Sequence, residues 1–374
     1  MEHESALEGT FERGRSDGIR ILLTGITGFV GSAVAAALLA RGHSVIAVVR
    51  GADEEHGRAR ASQALAHYAV DASALSFVVG DLTSEATYAH PAFDEVTHVV
   101  HSAACTSFAP KRSVWTSNVD GTKLLAERMR QSPRLERFLH VSTAYCCGDR
   151  PNRVVLEGDA PRAEHGHVND YARSKAAAEL LLRSMNLGER LVIARPSVVI
   201  GHTSLGTKPS SSLYWYCRAL AALRRGPSEL GDRRDIVPVD YVAEALLFLL
   251  LLERPRFDTY HVSAGARASQ TLGEVVQKLD ATAAPNDWRK IPAAAFAELR
   301  SELRALVRDD NEARKLAVAL SACARFGELG IDYFDNERLL SEGFPPPPRF
   351  VDYLDVCIET SGRASVFDQL VDDA

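Results

Sequence analysis

The chain has 374 residues, 46% of them hydrophobic and 25% charged, a composition that excludes a collagen-like, coiled-coil or broadly disordered protein. That length accommodates one large domain or two closely packed ones. A formal net charge of -6 argues against the clustered basic surface that nucleic acid requires, so no nucleic-acid partner is expected. Six cysteines, at 105, 146, 147, 217, 323 and 357, show neither paired C-x-x-C motifs nor a His/Cys spacing suited to zinc. No metal is therefore expected, and a reducing, cytoplasmic setting fits this cysteine usage.

Residues 1–18, MEHESALEGTFERGRSDG, lack the apolar segment of a secretion signal and are expected to form a flexible lead-in. From residue 19 short β-rich apolar runs alternate with helical segments. The expected strands are IRILLTG, HSVIAVVR, LSFVVGD, THVVHSA, RFLHVST and RLVIARP, with helices on FVGSAVAAALLARG, around GRARASQALAHYA, around NVDGTKLLAERMRQ, and on YARSKAAAELLLRSM. Six such alternations predict an α/β fold with a Rossmann-type, doubly wound parallel sheet over residues 19–200. After Pro196 the regularity breaks at the Gly/Ser/Pro-rich loop GHTSLGTKPSSS. DIVPVDYVAEALLFLLL and DTYHVSAG then read as one more strand-helix-strand passage, so 236–264 is expected to rejoin the sheet. Residues 201–235 and 265–374 remain as a smaller, mostly helical substrate-binding region, with the prolines at 345–348 as a stiff connector to a last helix. The longest apolar run, ALLFLLLL at 245–252, falls short of the roughly 20 residues a membrane-spanning helix needs, and reads as a buried helix.

The first motif with chemical content is TGITGFVG, where Gly25, Gly28 and Gly31 follow a strand and open a helix. Glycines there permit a tight turn and let backbone N–H groups approach a pyrophosphate at the helix N-terminus, so a dinucleotide is expected. The second strand ends in Arg50 rather than the acidic residue that would bond a ribose 2′-hydroxyl. Its guanidinium, assisted by Arg58 or Arg60, suits a 2′-phosphate and selects NADPH over NADH. Asp81 in GDL is placed to accept from the adenine amino group, and the small residues Ser102, Ala103 and Ala104 after the fourth strand would let a cofactor pass close to the backbone. NDYARSKAAAE then sets Tyr171 and Lys175 four apart on one helix face. A tyrosine has an unperturbed pKa near ~10 and needs a neighbouring cation to exchange protons with a substrate oxygen, and Lys175 would supply it. A further hydroxyl to hold that oxygen would come from HVSTAYCCG, at the end of the fifth strand, where Ser142 and Thr143 both qualify. Cys146 and Cys147 are too close in sequence for an unstrained disulfide and read as packing residues.

With these residues in place the chain from 19 to 264 resembles the extended short-chain dehydrogenase/reductase superfamily, through TGITGFVG, GDL, HSAA, NVDGT, STAYCCG, YARSK, RPSVVIG and IVPVDYVAEAL. The resemblance implies a Thr-Tyr-Lys catalytic set and favours Thr143 over Ser142. It also implies a cofactor-binding role for Thr27, Phe29, Val30, Leu82, Asn118, Lys175, Pro196, Ser197 and Val198. Within the superfamily, VSTAYC, the HSAACTSF segment with Phe108, NVDGTKLL and YHVSAG look most like the thioester reductase and fatty acyl-CoA reductase branch, which includes male-sterility-like proteins. The pairing of Arg50 with Arg60 resembles the NADPH-binding arginines of that branch. The implied activity is NADPH-dependent reduction of an acyl thioester, held on coenzyme A or a phosphopantetheinylated carrier protein, to an aldehyde or alcohol. The chain has no room for an adenylation or carrier domain, so the donor would be met in trans, and the arginines of RRGPSELGDRR (224–234) are one place to meet it. The competing expectations are an enzyme of the same superfamily acting on a ketone, secondary alcohol or nucleotide sugar, and a non-catalytic NADPH-binding protein.

Overall fold

The computed structural model describes residues 18–72, 75–107, 112–159, 161–162, 164–207, 212–282, 284–304, 307 and 309–362. Most of the expected lead-in, Phe108, and part of the Gly/Ser/Pro-rich loop lie outside the described residues.

Seven strands form the central sheet: β1 (Arg20–Thr24), β2 (Ser44–Val49), β3 (Leu75–Val79), β4 (His98–His101), β5 (Arg137–Val141), β6 (Leu191–Pro196) and β7 (Thr259–Val262). Their spatial order is β7-β6-β5-β4-β1-β2-β3, and every pairing is parallel. The chain runs outward from β1 through β2 and β3, then returns to place β4 on the other flank of β1. This reversal opens a crevice at the carboxyl ends of β1 and β4, the usual ligand position in such sheets.

Side chains that alternate along the strands build two apolar layers. On one face Ile21, Leu23 and Val45 pack with α1 (Phe29–Ala40), α2 (Glu54–Leu65) and, later in the chain, α6 (Val239–Leu251). On the other, Leu22, Val99 and Phe138 pack with α3 (Gly121–Arg130) and α4 (Asp170–Ser184). The apolar run at 245–252 thus lies largely within α6, whose residues Ala245 to Leu250 are buried against the sheet. No helix among the described residues is long and apolar enough to cross a membrane.

The passage at 236–264 behaves in two ways. Thr259–Val262 joins the sheet beside β6, whereas Ile236–Val237 pairs outside it with Val198–Val199. Hydrogen bonds from the Ile200 N–H to the Val237 carbonyl (3.0 Å) and from the Val239 N–H to the Gly201 carbonyl (2.8 Å) hold this short pair. A second apolar core gathers Tyr214 and Trp215 of α5 (Ser212–Leu223), Val275 of α7 (Leu272–Leu279), Leu316 and Leu320 of α8 (Asp310–Glu328), and Phe350 and Leu354 of α9 (Phe350–Ser361). The prolines at 345–348 lead directly into α9.

Two buried carboxylates stitch this region to the sheet. Asp235 accepts from the N–H groups of Ala264 (2.7 Å) and Phe334 (2.9 Å). Glu157 accepts from the N–H of His261 in β7 (2.9 Å) and of Arg338 (2.7 Å). Burial pushes the Glu157 carboxyl up to about 7 from its ordinary 4.5, outweighing the two N–H donors. The folded chain therefore binds this proton more tightly than the unfolded chain. Its contribution to stability is complete below about 4.5, falls as the pH rises to about 7, and is constant above that. Relative to E157Q, the natural chain is expected to lose roughly 1–3 kcal/mol between pH 5 and pH 8 in denaturant unfolding. A difference that does not vary with pH would contradict this.

Candidate active site

The turn between β1 and α1 is shaped by contact at every glycine in the motif. Gly25 has φ +83°, and a Cβ there would lie 2.6 Å from the Ala103 backbone nitrogen, so β1 ends against the segment that follows β4. A Cβ on Gly31 would lie 2.0 Å from the Gly25 carbonyl oxygen, which only glycine at 31 permits. Gly28 caps α1, and Thr27 and Gly28 face solvent while Phe29 and Val30 are half-buried. The exposed Thr27 and Gly28 within the motif thus leave the helix N-terminus open to an anion.

Beneath this turn a chain of hydrogen bonds locks the crevice. The Ala103 N–H donates to Thr24 Oγ1 (3.2 Å), and Thr24 Oγ1 lies 2.7 Å from His101 Nδ1. His101 Nε2 lies 2.8 Å from Thr122 Oγ1, whose hydroxyl donates to the Asn118 carbonyl (2.7 Å). With the Thr122 proton committed to Asn118, the network assigns the remaining proton of the imidazole to Nε2, so Thr24 donates to Nδ1. Burial pushes His101 down to about 3, with the Lys175 charge adding to the effect, which keeps the ring neutral. Asn118 lies in a one-turn π-helix, Thr116–Asp120. Its Oδ1 accepts from the Cys105 N–H (2.7 Å), and its Nδ2 donates to the Cys105 carbonyl (3.1 Å) and to Ser174 Oγ (2.9 Å). It is fully buried, and so holds the loop bearing Ser102, Ala103 and Ala104 against α4 instead of presenting its amide to a ligand.

At the end of β2, Arg60 Nη1 donates to the Arg50 backbone carbonyl (2.6 Å), bringing the Arg60 guanidinium to the strand end that carries Arg50. Arg58 is turned away, over the Phe77 ring (4.8 Å) and onto Glu54 (3.2 Å). Asp81 accepts from both the N–H (2.8 Å) and the hydroxyl (2.6 Å) of Thr83. These bonds, with the Arg50 charge as a smaller contribution against burial, hold its carboxyl below the usual range. Leu82 is half-buried and packs beside Gly121. Pro196 ends β6, the Ser197 N–H donates to the Val262 carbonyl (3.1 Å), and Val198 pairs with Ile236.

Thr143 leaves β5 in extended conformation and opens a short turn, Ala144–Cys147, with its Oγ1 accepting from the Tyr145 N–H (3.3 Å). That turn packs on α4. Asn169 caps α4 through its side chain, which accepts from the Ala172 N–H, and sets Tyr171 in the first helical turn. Tyr171 is half-buried and is pushed up to about 12 by burial, so it stands as a neutral proton donor. Lys175, one turn on, is 1% exposed, and burial pulls its ammonium down to about 8. Ser142 differs from Thr143 in that its hydroxyl donates to Glu179 (2.5 Å) beneath the site. Glu179 is held in turn by Arg195, through Nη2 to Oε2 at 2.7 Å, and both side chains are buried. Nothing in the spacing of Glu179 and Arg195 distinguishes them as a pair, because 16 residues and a helix-to-strand connection separate them.

The arginines of the 224–234 segment are held internally. Arg224 pairs with Asp287 (2.6 Å), Arg225 with Glu302 (3.0 Å), and Arg233 donates to Ser269 Oγ (2.9 Å). Arg234 donates to the carbonyl of Arg233. All six cysteines are free thiols, and no metal-binding cluster of His, Cys, Asp and Glu occurs among the described residues.

A parallel sheet with a glycine cradle at its reversal point, and a tyrosine and lysine on the helix beside it, defines a nicotinamide-nucleotide-dependent oxidoreductase of the extended short-chain dehydrogenase/reductase superfamily. Residues 23–246 match the family model described as "Male sterility protein", and the chain belongs to that family. It is 30% identical over 275 residues to a non-canonical nonribosomal peptide synthetase, FrzA, of Cladobotryum sp., covering 67% of this chain and 26% of that protein. It is 28% identical over 282 residues to a carboxylic acid reductase of Segniliparus rugosus, covering 65% of this chain and 24% of that one. The chain therefore spans about a quarter of the length of these curated relatives. Its fold is similar to that of the terminal R domain from the myxalamid PKS-NRPS biosynthetic pathway, with a TM-score of 0.73, 24% identity, and 91% and 90% of the two chains covered.

Gly31→Ala is expected to weaken nicotinamide nucleotide binding at least about tenfold, because the added methyl collides with the Gly25 carbonyl that shapes the cradle. Fluorescence titration with the reduced nucleotide measures this, and unchanged affinity would refute the assigned cradle.

Proposed function

We propose that the chain reduces an acyl thioester, carried on coenzyme A or on a phosphopantetheinylated carrier protein, and that its cofactor is NADPH. The observation that carries the reading is the juxtaposition of a protonated, half-buried Tyr171 and a buried Lys175 on α4 with the Thr143 turn that packs on the same helix. The similarity to a nonribosomal peptide synthetase and to a carboxylic acid reductase supports a thioester as the substrate class.

The residues present suit NADPH. Gly25, Thr27, Gly28 and Gly31 would take its pyrophosphate at the α1 N-terminus, with Phe29 and Val30 beginning the helix. Arg50 and Arg60 would take the 2′-phosphate, Asp81 and Leu82 would flank the adenine, and Ser102, Ala103 and Ala104 would lie along the crevice. Pro196, Ser197 and Val198, at the end of β6, would border the nicotinamide end, and Lys175 would hold its ribose. When bound, NADPH supplies a hydride to the thioester carbonyl carbon.

Thr143 and Tyr171 hydroxyls donate to the carbonyl oxygen, and their hydrogen bonds strengthen as charge develops there. Tyr171 delivers its proton to that oxygen, favoured by a neighbouring ammonium on Lys175. Collapse of the resulting hemithioacetal breaks the C–S bond and the O–H bond; the hydroxyl proton returns to the Tyr171 phenolate, the leaving thiolate takes up a proton from solvent, and an aldehyde remains. One thioester, one NADPH and one proton thus yield one aldehyde, one thiol and one NADP. A second reduction of the aldehyde would give the alcohol.

Acyl-coenzyme A and acyl-pantetheine thioesters are expected to drive NADPH oxidation with release of free thiol, followed by absorbance of nicotinamide and a thiol reagent. Oxidation seen only with ketones, and without thiol, would overturn the proposal in favour of secondary-alcohol chemistry. Tyr171→Phe is expected to lower kcat by roughly 10²–10⁴-fold while NADPH still binds. An undiminished rate would remove Tyr171 from the mechanism. Arg50→Ala is expected to raise the Kd for NADPH by at least about tenfold while leaving NADH within about twofold, since only the former has the phosphate to lose. Equal losses would contradict the assignment.

A further inference from the structure

Below the Thr143 turn lies a set of buried polar groups that the chemistry above does not use. Tyr171, Lys175 and Glu179 follow one another at intervals of four on α4, so Glu179 continues the face that carries the catalytic side chains. The Glu179 carboxylate is fully buried and saturated. Oε1 accepts from Ser142 Oγ (2.5 Å), from Cys146 Sγ (3.2 Å) and from Arg195 Nε (3.0 Å), and Oε2 accepts from Arg195 Nη2 (2.7 Å). Arg195 is itself 1% exposed, and its Nη1 donates to the Asp159 carbonyl (3.0 Å). Ser142 and Cys146 bracket Thr143 on either side, Arg195 belongs to β6, and Glu179 belongs to the helix of Tyr171 and Lys175.

One carboxylate therefore joins three elements at the place where the Thr143 hydroxyl and the phenol of α4 would share the substrate oxygen. We infer that Glu179, oriented by Arg195, is a positioning residue that fixes the Thr143 turn against α4 and so sets the two-donor site for the substrate oxygen. This rests on the Thr143-Tyr171-Lys175 reading above. A buried ion pair is a poor source of net stability, because desolvation of both charges opposes their attraction, so its presence here is accounted for by the geometry it enforces.

The same carboxylate acts on Lys175 through space. Lys175 is faced by Glu179 and Tyr171 on its own helix, by Cys146 on the turn, and by His140 and His101 on the sheet. Both imidazoles are held neutral by burial, and burial pushes the Cys146 thiol well up, so Glu179 is the anion among these groups. Burial opposes its ionisation, but Arg195 and the hydrogen bonds outweigh that and hold its carboxyl below the ordinary value. Its charge opposes the downward pull of burial on Lys175. Removing the charge therefore lowers the pH at which Lys175 loses its proton, and the alkaline limb of the rate profile moves to lower pH.

The test compares the natural chain with S142A, E179Q and E179Q/R195M, the last removing both charges together so that no buried ion is stranded if E179Q alone fails to fold. Each is examined with NADPH bound, by hydrogen exchange of the 142–147 turn and by the pH dependence of kcat with an acyl-pantetheine thioester. Faster exchange confined to the 142–147 turn is expected in all three variants. A fall in kcat on the order of 10–100-fold is expected in both Glu179 variants, with KM for NADPH within about twofold. In those two the alkaline limb shifts down, whereas in S142A, which keeps the carboxylate, it stays in place. A structural role alone would predict that E179Q/R195M recovers kcat together with its melting temperature, and that result would overturn the inference, as would unaltered exchange of the turn. The exchange measurement stands whether or not a thioester is reduced, so failure of the substrate assignment would show as an inactive natural chain with the clamp still visible.

Discussion

Keeping Lys175 at 1% exposure on α4 is the constraint around which the proposed site is organised. A lone buried charge is costly in a low-dielectric interior, and the site meets that cost with a fixed arrangement of countercharge and dipoles. Lys175 has Glu179 one turn away, Glu179 has Arg195, and the set carries one net positive charge when all three are ionised. In the proposed reduction, that excess would lie where the carbonyl oxygen becomes negative. The surroundings are otherwise held neutral, since burial pushes His101 down to about 3 and Tyr171 up to about 12. Tyr171 therefore begins as a proton donor, the state that reduction demands.

The fold supplies the second half of the arrangement. Reversal of strand order at β1 and β4 opens the crevice, and the contact between Gly25 and Ala103 makes it tight. The Thr24, His101, Thr122 and Asn118 chain then joins the cofactor side to the π-helix, and Asn118 passes the constraint through Ser174 to α4. Cradle and proton donor are in this way parts of one hydrogen-bonded framework. The C-terminal region is tied to the same end of the sheet by Tyr145, which lies in the Thr143 turn and packs edge-on to Phe326 and Phe334 at 4.9 and 5.0 Å. Differences in that region can thus reach the Thr143 turn without touching the proposed catalytic residues.

Features governed by local chemistry were legible in the chain itself. The six alternating strands, the glycine turn, the Tyr171 and Lys175 spacing, and the buried nature of 245–252 all depend on neighbours within a few residues. What was not legible depends on contacts between distant positions. Ile236–Val237 has the composition of a sheet strand, yet its partner is Val198–Val199, and β7 alone extends the sheet. Arg224, Arg225 and Arg233 look like a cationic loop until Asp287, Glu302 and Ser269, between 36 and 77 residues away, are brought beside them. Asn118 reads as a cofactor ligand by its motif, whereas its amide is occupied by Cys105 and Ser174. The clamp of Glu179 on Ser142 and Arg195 likewise emerges only with the packing.

The central claim is that this framework delivers hydride to a thioester carbonyl and releases a thiol. A single-turnover experiment with enzyme in excess over an acyl-pantetheine thioester, and with NADPH present, measures it directly. The account expects NADPH oxidation and thiol release to proceed at the same rate and in equal amounts in the first step, with aldehyde as the first product. Thiol release without nucleotide oxidation, which is simple hydrolysis, or nucleotide oxidation without thiol release would contradict it.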